Sequence, residues 1–142
     1  MTIAAILRAK GDEIISIAAG KTMKDVVTLL AERRIGAVPV VDGGQVVGIV
    51  SERDLVYGLA REGPALLDKP VEAVMTAPAL TVSSGDSILA ALALMTKRRV
   101  RHLPVVDGGA IVGFVSIGDL VKLRIDRIEA EAEAMRHYIA GT

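Results

Sequence analysis

The sequence predicts an α/β fold of the mixed α+β kind, built from two tandem β-α-β-β-α repeats that pack about a pseudo-twofold axis. A long C-terminal helix follows the second repeat. The main observation is that the segment from Arg33 to Val56 recurs 65 residues later, with 15 of its 24 positions identical. Apolar residues also change from helical to strand spacing at the same points of each copy. Finally, 51% of the 142 residues are hydrophobic but only three are aromatic, so the core must be aliphatic.

The first repeat shows the element signals most clearly. Apolar residues at helical spacing follow Thr22, which forms a capping pair with Asp25. A continuous β-branched stretch then indicates a buried strand, and an Asp-Gly-Gly turn joins it to a return strand. Gly63-Pro64 ends the second helix. The predicted elements are a strand at 14–17, a helix at 22–34, strands at 37–41 and 45–50, and a helix at 54–61.

The second repeat follows the same order, and two short segments flank the pair. The linker at 63–78 contains a short helix at 71–75, and residues 3–7 are its rough counterpart before the first repeat. The predicted elements of the second repeat are a strand at 79–82, a helix at 87–99, strands at 102–106 and 110–115, and a long helix from about residue 117.

Composition excludes several functional classes. The chain has no cysteine, which rules out disulfides, thiolate catalysis and cysteine-ligated metals, and it has only two histidines. We therefore predict no catalytic residue and no metal site. Seventeen basic residues balance seventeen acidic ones, which argues against nucleic acid or an anionic membrane as partner. No apolar run of about 18 residues is present. At the N-terminus the basic residues follow the apolar part, so we expect a cytoplasmic protein.

The pattern Ser-x-x-Asp occurs twice where a strand becomes a helix, as Ser51 with Asp54 and as Ser116 with Asp119. Unpaired amides and the dipole at a helix start favour an anion, and a serine hydroxyl can donate to phosphate. The aspartate can accept hydrogen bonds from a vicinal diol, as in ribose recognition. The same pattern is also a capping box that needs no ligand, and both roles can hold together. Its recurrence after the same hairpin favours a nucleotide cleft in at least one repeat.

These stretches resemble the CBS domain pair, a regulatory module of two tandem motifs. The resemblance rests on Ala37-Val38-Pro39-Val40-Val41-Asp42 and Gly48-Ile49-Val50-Ser51-Glu52-Arg53-Asp54-Leu55, with their second copies, and extends from Ile14 to Val121. It suggests an N-terminal helix and lead-in at 1–13, CBS motifs at 14–62 and 79–122, a linker at 63–78 and an amphipathic helix at 123–142.

The resemblance implies that adenine nucleotides bind in two clefts, one per repeat. The serine would face phosphate, the aspartate would hold the ribose hydroxyls, and the first strand and the residues around the proline would line the adenine. The implied nucleotide-binding residues are Ser16, Ile17, Ala37, Val38, Pro39, Ser51, Arg53, Asp54, Thr81, Val82, Arg101, His102, Leu103, Pro104, Ser116 and Asp119.

Arginines distinguish the two expected clefts. Arg53 in the first repeat is replaced by Gly118 in the second, whereas Arg101 and His102 stand where the first repeat has Gly36-Ala37. We therefore expect Arg53 to serve the first cleft, and Arg101 with His102 the second, through charge-assisted bonds to phosphate. The alternative is that the basic clusters only complement the negative ends of helices.

The C-terminal helix carries apolar residues at 4-3 spacing from Val121 to Ile139, with charges between them. This spacing is typical of a seam against a second chain, but an amphipathic helix packed on its own chain gives the same pattern.

These patterns predict a non-enzymatic regulatory module that binds adenine nucleotides, forms a homodimer and signals to an unknown protein partner. AMP, ADP and ATP are the expected ligands, and NAD or S-adenosylmethionine would present the same adenosine group. The rival functions are an enzyme, for which no paired acid, base and nucleophile is evident, and a ligand-free structural dimerisation or nucleic-acid adaptor module.

Overall fold

The computed structural model describes residues 1–11 and 13–141, so two positions of the predicted terminal segments, 12 and 142, lie outside the described residues. The fold class is confirmed, because two repeats of the same architecture follow each other and a long helix ends the chain. Short 3₁₀ turns span Gly63–Asp68 and Val71–Ala73. The helices and strands are α1 (Ile3–Lys10), β1 (Ile17–Ala18), α2 (Met23–Arg33), β2 (Ala37–Asp42), β3 (Gln45–Ser51), α3 (Glu52–Glu62), α4 (Ile88–Arg98), β4 (His102–Asp107), β5 (Ala110–Ser116) and α5 (Ile117–Ala140).

The two hairpins are built alike. Strands β2 and β3 pair antiparallel with Pro39 opposite Ile49, and β4 and β5 pair antiparallel with Pro104 opposite Phe114. Both turns place two consecutive glycines at positive φ, 58° and 80° for Gly43-Gly44 in the first hairpin. This left-handed geometry matches the twist of the flanking strands, which explains why the Asp-Gly-Gly sequence recurs.

The first strand of each repeat is shorter than the sequence predicts. In the first repeat only Ile17 and Ala18 pair with β2. The strand predicted at 79–82 is wrong, because the only ladder contact within it is a single parallel bridge between Val82 and Val105. The chain turns away directly afterwards, since the backbone amides of Ser83 and Ser84 bond to aspartate side chains instead of a strand.

Each repeat is completed by a segment that directly precedes the other repeat in the chain. Ile3 and Ile6 of α1 lie in the apolar core of the second repeat, whereas Leu66 and Val71 of the linker lie in the core of the first. Thr22 of the first repeat bridges to Pro70, and Ser87, the residue 65 positions after Thr22, bridges to Thr2. The chain therefore crosses between the repeats, and strands β3 and β5 lie against each other.

The helix starts bear out the capping pattern. Thr22, Ser51 and Ser116 each form a complete capping box with the aspartate three residues later. In α3 and α5 the box places the serine and aspartate at the point where the second hairpin strand ends. The predicted helix at 71–75 is a 3₁₀ turn.

Helix α5 leaves the body of the molecule after Leu123. Every described residue from Arg124 to Gly141 is exposed, including Ile128 at 49% and Met135 at 59% of their full surface. The alternative that this seam packs on its own chain is therefore wrong. Within the described part of the chain, no helix is both long enough and apolar enough to cross a membrane.

Candidate functional site

A cavity of about 520 Å³ lies between the two repeats. The first repeat contributes the β3–α3 junction and the start of β2, and the second contributes the end of α4 and the start of β4. The end of the linker forms a third side. The lining residues are Gly36, Ala37, Ile49, Ser51, Glu52, Arg53, Asp54, Thr76, Pro78, Ala79, Leu80, Arg98, Val100, Arg101 and His102.

Asp54 stands where α3 begins and uses its two carboxylate oxygens differently. Oδ2 accepts hydrogen bonds from the Ser51 amide at 2.9 Å and from the Ser51 hydroxyl at 3.2 Å, which caps the helix. Oδ1 accepts a bond from the Thr76 hydroxyl at 3.1 Å. A carboxylate has about four acceptor positions and three are in use, so the remaining position on Asp54 Oδ1 can accept a hydroxyl group of a ligand in the cavity.

Three arginines give the cavity a basic wall. Arg53 comes from the first turn of α3, and Arg98 and Arg101 come from the second repeat. The Arg53 guanidinium reaches across the repeats and donates to the carbonyl oxygen of Arg99 at 3.3 Å. Arg99 is the residue that ends α4, and its backbone is in the left-handed conformation with φ 54°. The guanidinium charges of this wall and the positive end of the α3 dipole favour an anion.

His102, the first residue of β4, lines the cavity on the side of the second repeat. Its ring stacks on Phe114 with the centroids 5.7 Å apart and the planes 11° apart. Burial lowers the pKa of His102, although the nearby carboxylates of Asp119 and Glu52 oppose that shift. The imidazole is therefore favoured as a neutral, stacked ring.

The equivalent position in the second repeat has a different environment. Asp119 caps α5 through the Ser116 amide at 2.8 Å, as Asp54 caps α3. Lys10, from the end of α1, donates to Asp119 Oδ2 at 2.9 Å and to the carbonyl oxygen of Phe114 at 2.9 Å. Burial opposes the charged carboxylate most strongly, but the bonds from Lys10 and Ser116 and the charge of Lys10 lower the pKa of Asp119.

The predicted residues therefore separate into three groups. Ala37, Ser51, Arg53, Asp54, Arg101 and His102 line the cavity, and Ser116 and Asp119 mark the equivalent position in the second repeat. The others do not line the cavity. Among them, Ile17, Val38, Val82 and Leu103 belong to the apolar cores, Pro39 and Pro104 lie within the hairpins, and Ser16 and Thr81 are exposed.

One expectation about the arginines is wrong. Arg53 lies in the same cavity as Arg101 and His102, not in a separate cleft. The reason is that the start of β4 in the second repeat faces the start of α3 in the first. Aligning the two repeats shows which residues are equivalent, but it does not show which residues of one repeat lie close to the other repeat.

Several lining residues were missed by sequence reasoning. Thr76, which bonds to Asp54, has Gly11 at the equivalent position, so the repeat gave no signal for it. Pro78, Ala79 and Leu80 line the cavity in place of the predicted Thr81 and Val82. Their apolar character, at the end of the linker and the start of the second repeat, was the available signal.

The fold and the cavity together define a class, a tandem-repeat α/β module with a ligand-sized cleft between its repeats. The chain belongs to the CBS domain family, whose model matches residues 10–61 and 71–126. The resemblance seen in the sequence is thereby confirmed, with both motifs matched.

Several known proteins resemble this chain in sequence or in structure. A CBS-domain protein of Agrobacterium tumefaciens is 34% identical, with a TM-score of 0.84 over 87% of this chain and 99% of that chain. A mitochondrial CBS domain-containing protein of Arabidopsis thaliana is 30% identical over 99% of this chain and 72% of its own length. A CBS domain protein of Pyrobaculum aerophilum, solved in complex with AMP, is 28% identical, with a TM-score of 0.75 over 84% of this chain and 89% of that chain.

Proposed function

We propose that this protein is a regulatory module that binds an adenine nucleotide in the cavity between its repeats. The observation that supports the proposal is that one cavity combines Asp54, the start of α3 and the basic wall of Arg53, Arg98 and Arg101. Nucleotides need this combination, an acceptor for ribose hydroxyls beside donors for phosphate. The AMP complex of the Pyrobaculum relative supports the choice of ligand.

The parts of a nucleotide match the parts of the cavity. Asp54 would accept a ribose hydroxyl, and phosphate would lie near the Ser51 hydroxyl and the arginines. The adenine ring would lie against the apolar side chains of Ala37, Leu80 and Val100. AMP, ADP and ATP fit this description, and NAD and S-adenosylmethionine also carry the adenosine group.

A signal would follow from the shared cavity. Both repeats contribute side chains to one ligand site, so occupancy favours the arrangement in which they fit the ligand best. The size of the signal is limited by the difference in ligand affinity between the two arrangements. We propose that a protein partner detects this change, that the chain itself is not an enzyme, and that it acts in the cytoplasm.

We further propose that the chain is a homodimer joined through α5. The exposed 4-3 seam of Ile125, Ile128 and Met135 supports this, because an exposed apolar stripe on a helix is stabilised when another surface covers it. The same seam favours the second candidate function, a dimerisation module with no nucleotide ligand.

Calorimetry and thermal melting distinguish these two functions. We expect AMP or ATP to bind and to raise the melting temperature, with GMP at equal concentration as the control for the base. A nucleotide at about 100 times its Kd should stabilise the native state by ~2.7 kcal/mol. Arg53→Ala should weaken ATP binding far more than adenosine binding, and Arg61→Ala, outside the cavity, should change neither. No binding of any adenosine ligand at millimolar concentration would leave only the dimerisation function.

A further inference from the structure

Lys10 makes two contacts at the start of α5 that set the second repeat apart from the first. Its ammonium lies 2.9 Å from Asp119 Oδ2 and 2.9 Å from the carbonyl oxygen of Phe114. The side chains retain 41% and 25% of their exposed surface. Asp119 Oδ2 therefore receives two donors, the ammonium and the Ser116 amide at 2.8 Å.

In the first repeat a neutral group takes the place of this lysine. Asp54 accepts a hydrogen bond from the neutral Thr76 hydroxyl at 3.1 Å and lines the cavity. Asp119 instead has its charge balanced by an ammonium at contact distance. A carboxylate in this state is a weaker acceptor for neutral hydroxyl groups, because a charge-assisted bond must be exchanged for a neutral one.

The lysine is held in place by the helix that carries it. Ile3 and Ile6 of α1 are buried in the core of the second repeat, and the Ile3 amide donates to the Asp86 carbonyl at 2.9 Å. Leu7 packs directly over Gly113 of β5, where a Cβ would collide with its side chain. Lys10 lies one turn further on, so packing delivers its ammonium to Asp119.

We propose that Lys10 is an intramolecular occupant that closes the second nucleotide position of this chain. The proposal rests on the proposed function, because it takes the aspartate at each helix start to be the ribose acceptor. Its consequence is one nucleotide per chain, bound in the cavity at Asp54. A second nucleotide must displace the ammonium, which should weaken its affinity by roughly 10- to 100-fold, the range of a hydrogen bond to a charged group.

The test is calorimetric titration of the full chain with AMP. We expect one site per chain in the wild type and two in Lys10→Met, the second appearing at least tenfold tighter than any second binding to the wild type. Lys24→Met, an exposed lysine on α2, is the matched control and should keep one site. Asp119→Ala in the Lys10→Met background should remove only the new site. If Lys10→Met melts before binding can be measured, Lys10→Gln removes the charge and can still donate to the Phe114 carbonyl.

Two results would overturn the proposal: two comparable sites in the wild type, or a single site in both Lys10 variants. The proposed function fails separately. If the wild type binds no AMP but Lys10→Met binds one molecule in an Asp119-dependent manner, the cavity assignment is wrong and the closure by Lys10 stands. If no variant binds AMP, both are wrong.

Discussion

Asp54 has a structural role and a proposed binding role, and these can be separated. It caps α3 through Ser51 and also faces the cavity. We predict that Asp54→Ala weakens AMP binding by ~1.5–3 kcal/mol, the scale of a hydrogen bond to a charged group. Calorimetry gives the affinity, and thermal melting gives the separate cost of the lost cap.

Asp25→Ala is the matched control for this prediction. Asp25 forms the same capping box with Thr22 at the start of α2, and it does not line the cavity. It should lower the melting temperature, because the Thr22 amide and hydroxyl lose their acceptor, and leave AMP affinity unchanged. Equal losses of affinity in both variants would mean that damage to the fold, not a missing ribose acceptor, weakens binding.

His102 should make stability depend on pH. Burial lowers its folded-state pKa below the ordinary value of about 6.5, so a proton binds more readily to the unfolded chain. The favourable contribution is present above that ordinary value and is lost as the pH falls through the folded-state pKa. Between pH 7 and pH 5, wild type should therefore lose more unfolding free energy than His102→Gln.

Urea unfolding at the two pH values measures this difference. His137→Gln is the matched control, since His137 is the other histidine of the chain and lies exposed on α5. It keeps His102 intact, so most of the wild-type loss of stability on acidification should remain. An equal loss in His102→Gln would show that the stacked ring does not resist protonation.

At the residue scale, features that depend on neighbouring residues could be predicted from the sequence, whereas contacts between the two repeats could not. The pairs Ser51–Asp54 and Ser116–Asp119 could be placed at helix starts because a capping box depends on four consecutive residues. That Arg53 shares a cavity with Arg101 could not be predicted, because the contact joins residues 48 positions apart through the packing of two repeats. The contact between Lys10 and Asp119 joins residues even further apart in the sequence and could not be predicted for the same reason.

At the scale of elements, hairpins were the most predictable and the first strands the least. Both hairpins are specified by their turn glycines and by continuous β-branched strands. Whether a strand forms at 79–82 depends on the hydrogen bonds that the residues directly after it make. The side chains of Asp86 and Asp107 accept hydrogen bonds from the amides of Ser83 and Ser84. The chain therefore turns away after the single β-bridge at Val82.

Helix α5 supplies the prediction at this scale. Replacing Ile128 and Met135 together by lysine should weaken the proposed dimer at least tenfold, because four charges would enter one apolar seam of the dimer. AMP affinity should stay unchanged, since both side chains are exposed and distant in sequence from the cavity residues. Light scattering at a protein concentration of tens of micromolar measures the molar mass and therefore the number of chains in the assembly.

The control is Ala130→Lys with Ala134→Lys, two exposed positions of the same helix outside the seam. This variant adds the same charge to the helix and should remain dimeric. A wild-type mass of one chain, or equal weakening by both double variants, would contradict dimerisation through the seam.

The whole molecule is organised so that neither repeat is complete alone. The core of the second repeat includes Ile3, which is fully buried, although it precedes the first repeat in the chain. The core of the first repeat includes the linker residues Leu66 and Val71. The repeats also meet through β3 and β5 and through the bond from Arg53 to the Arg99 carbonyl. Motions that open the cavity must therefore disturb both repeats.

This coupling leads to a prediction for hydrogen exchange. Saturating AMP should slow amide exchange at the β3–α3 junction, residues 51–54, and also at residues 98–102 of the second repeat. A ligand that binds only the closed arrangement suppresses each opening by the same factor, about 100-fold at 100 times the Kd. Residues 124–140 of α5 are the internal control and should exchange at the same rate with and without AMP. Asp54→Ala at the same AMP concentration should lose the protection in both repeats together. Protection confined to residues 51–54 would mean that the wall contributed by the second repeat does not hold the ligand, and that occupancy cannot be transmitted between the repeats.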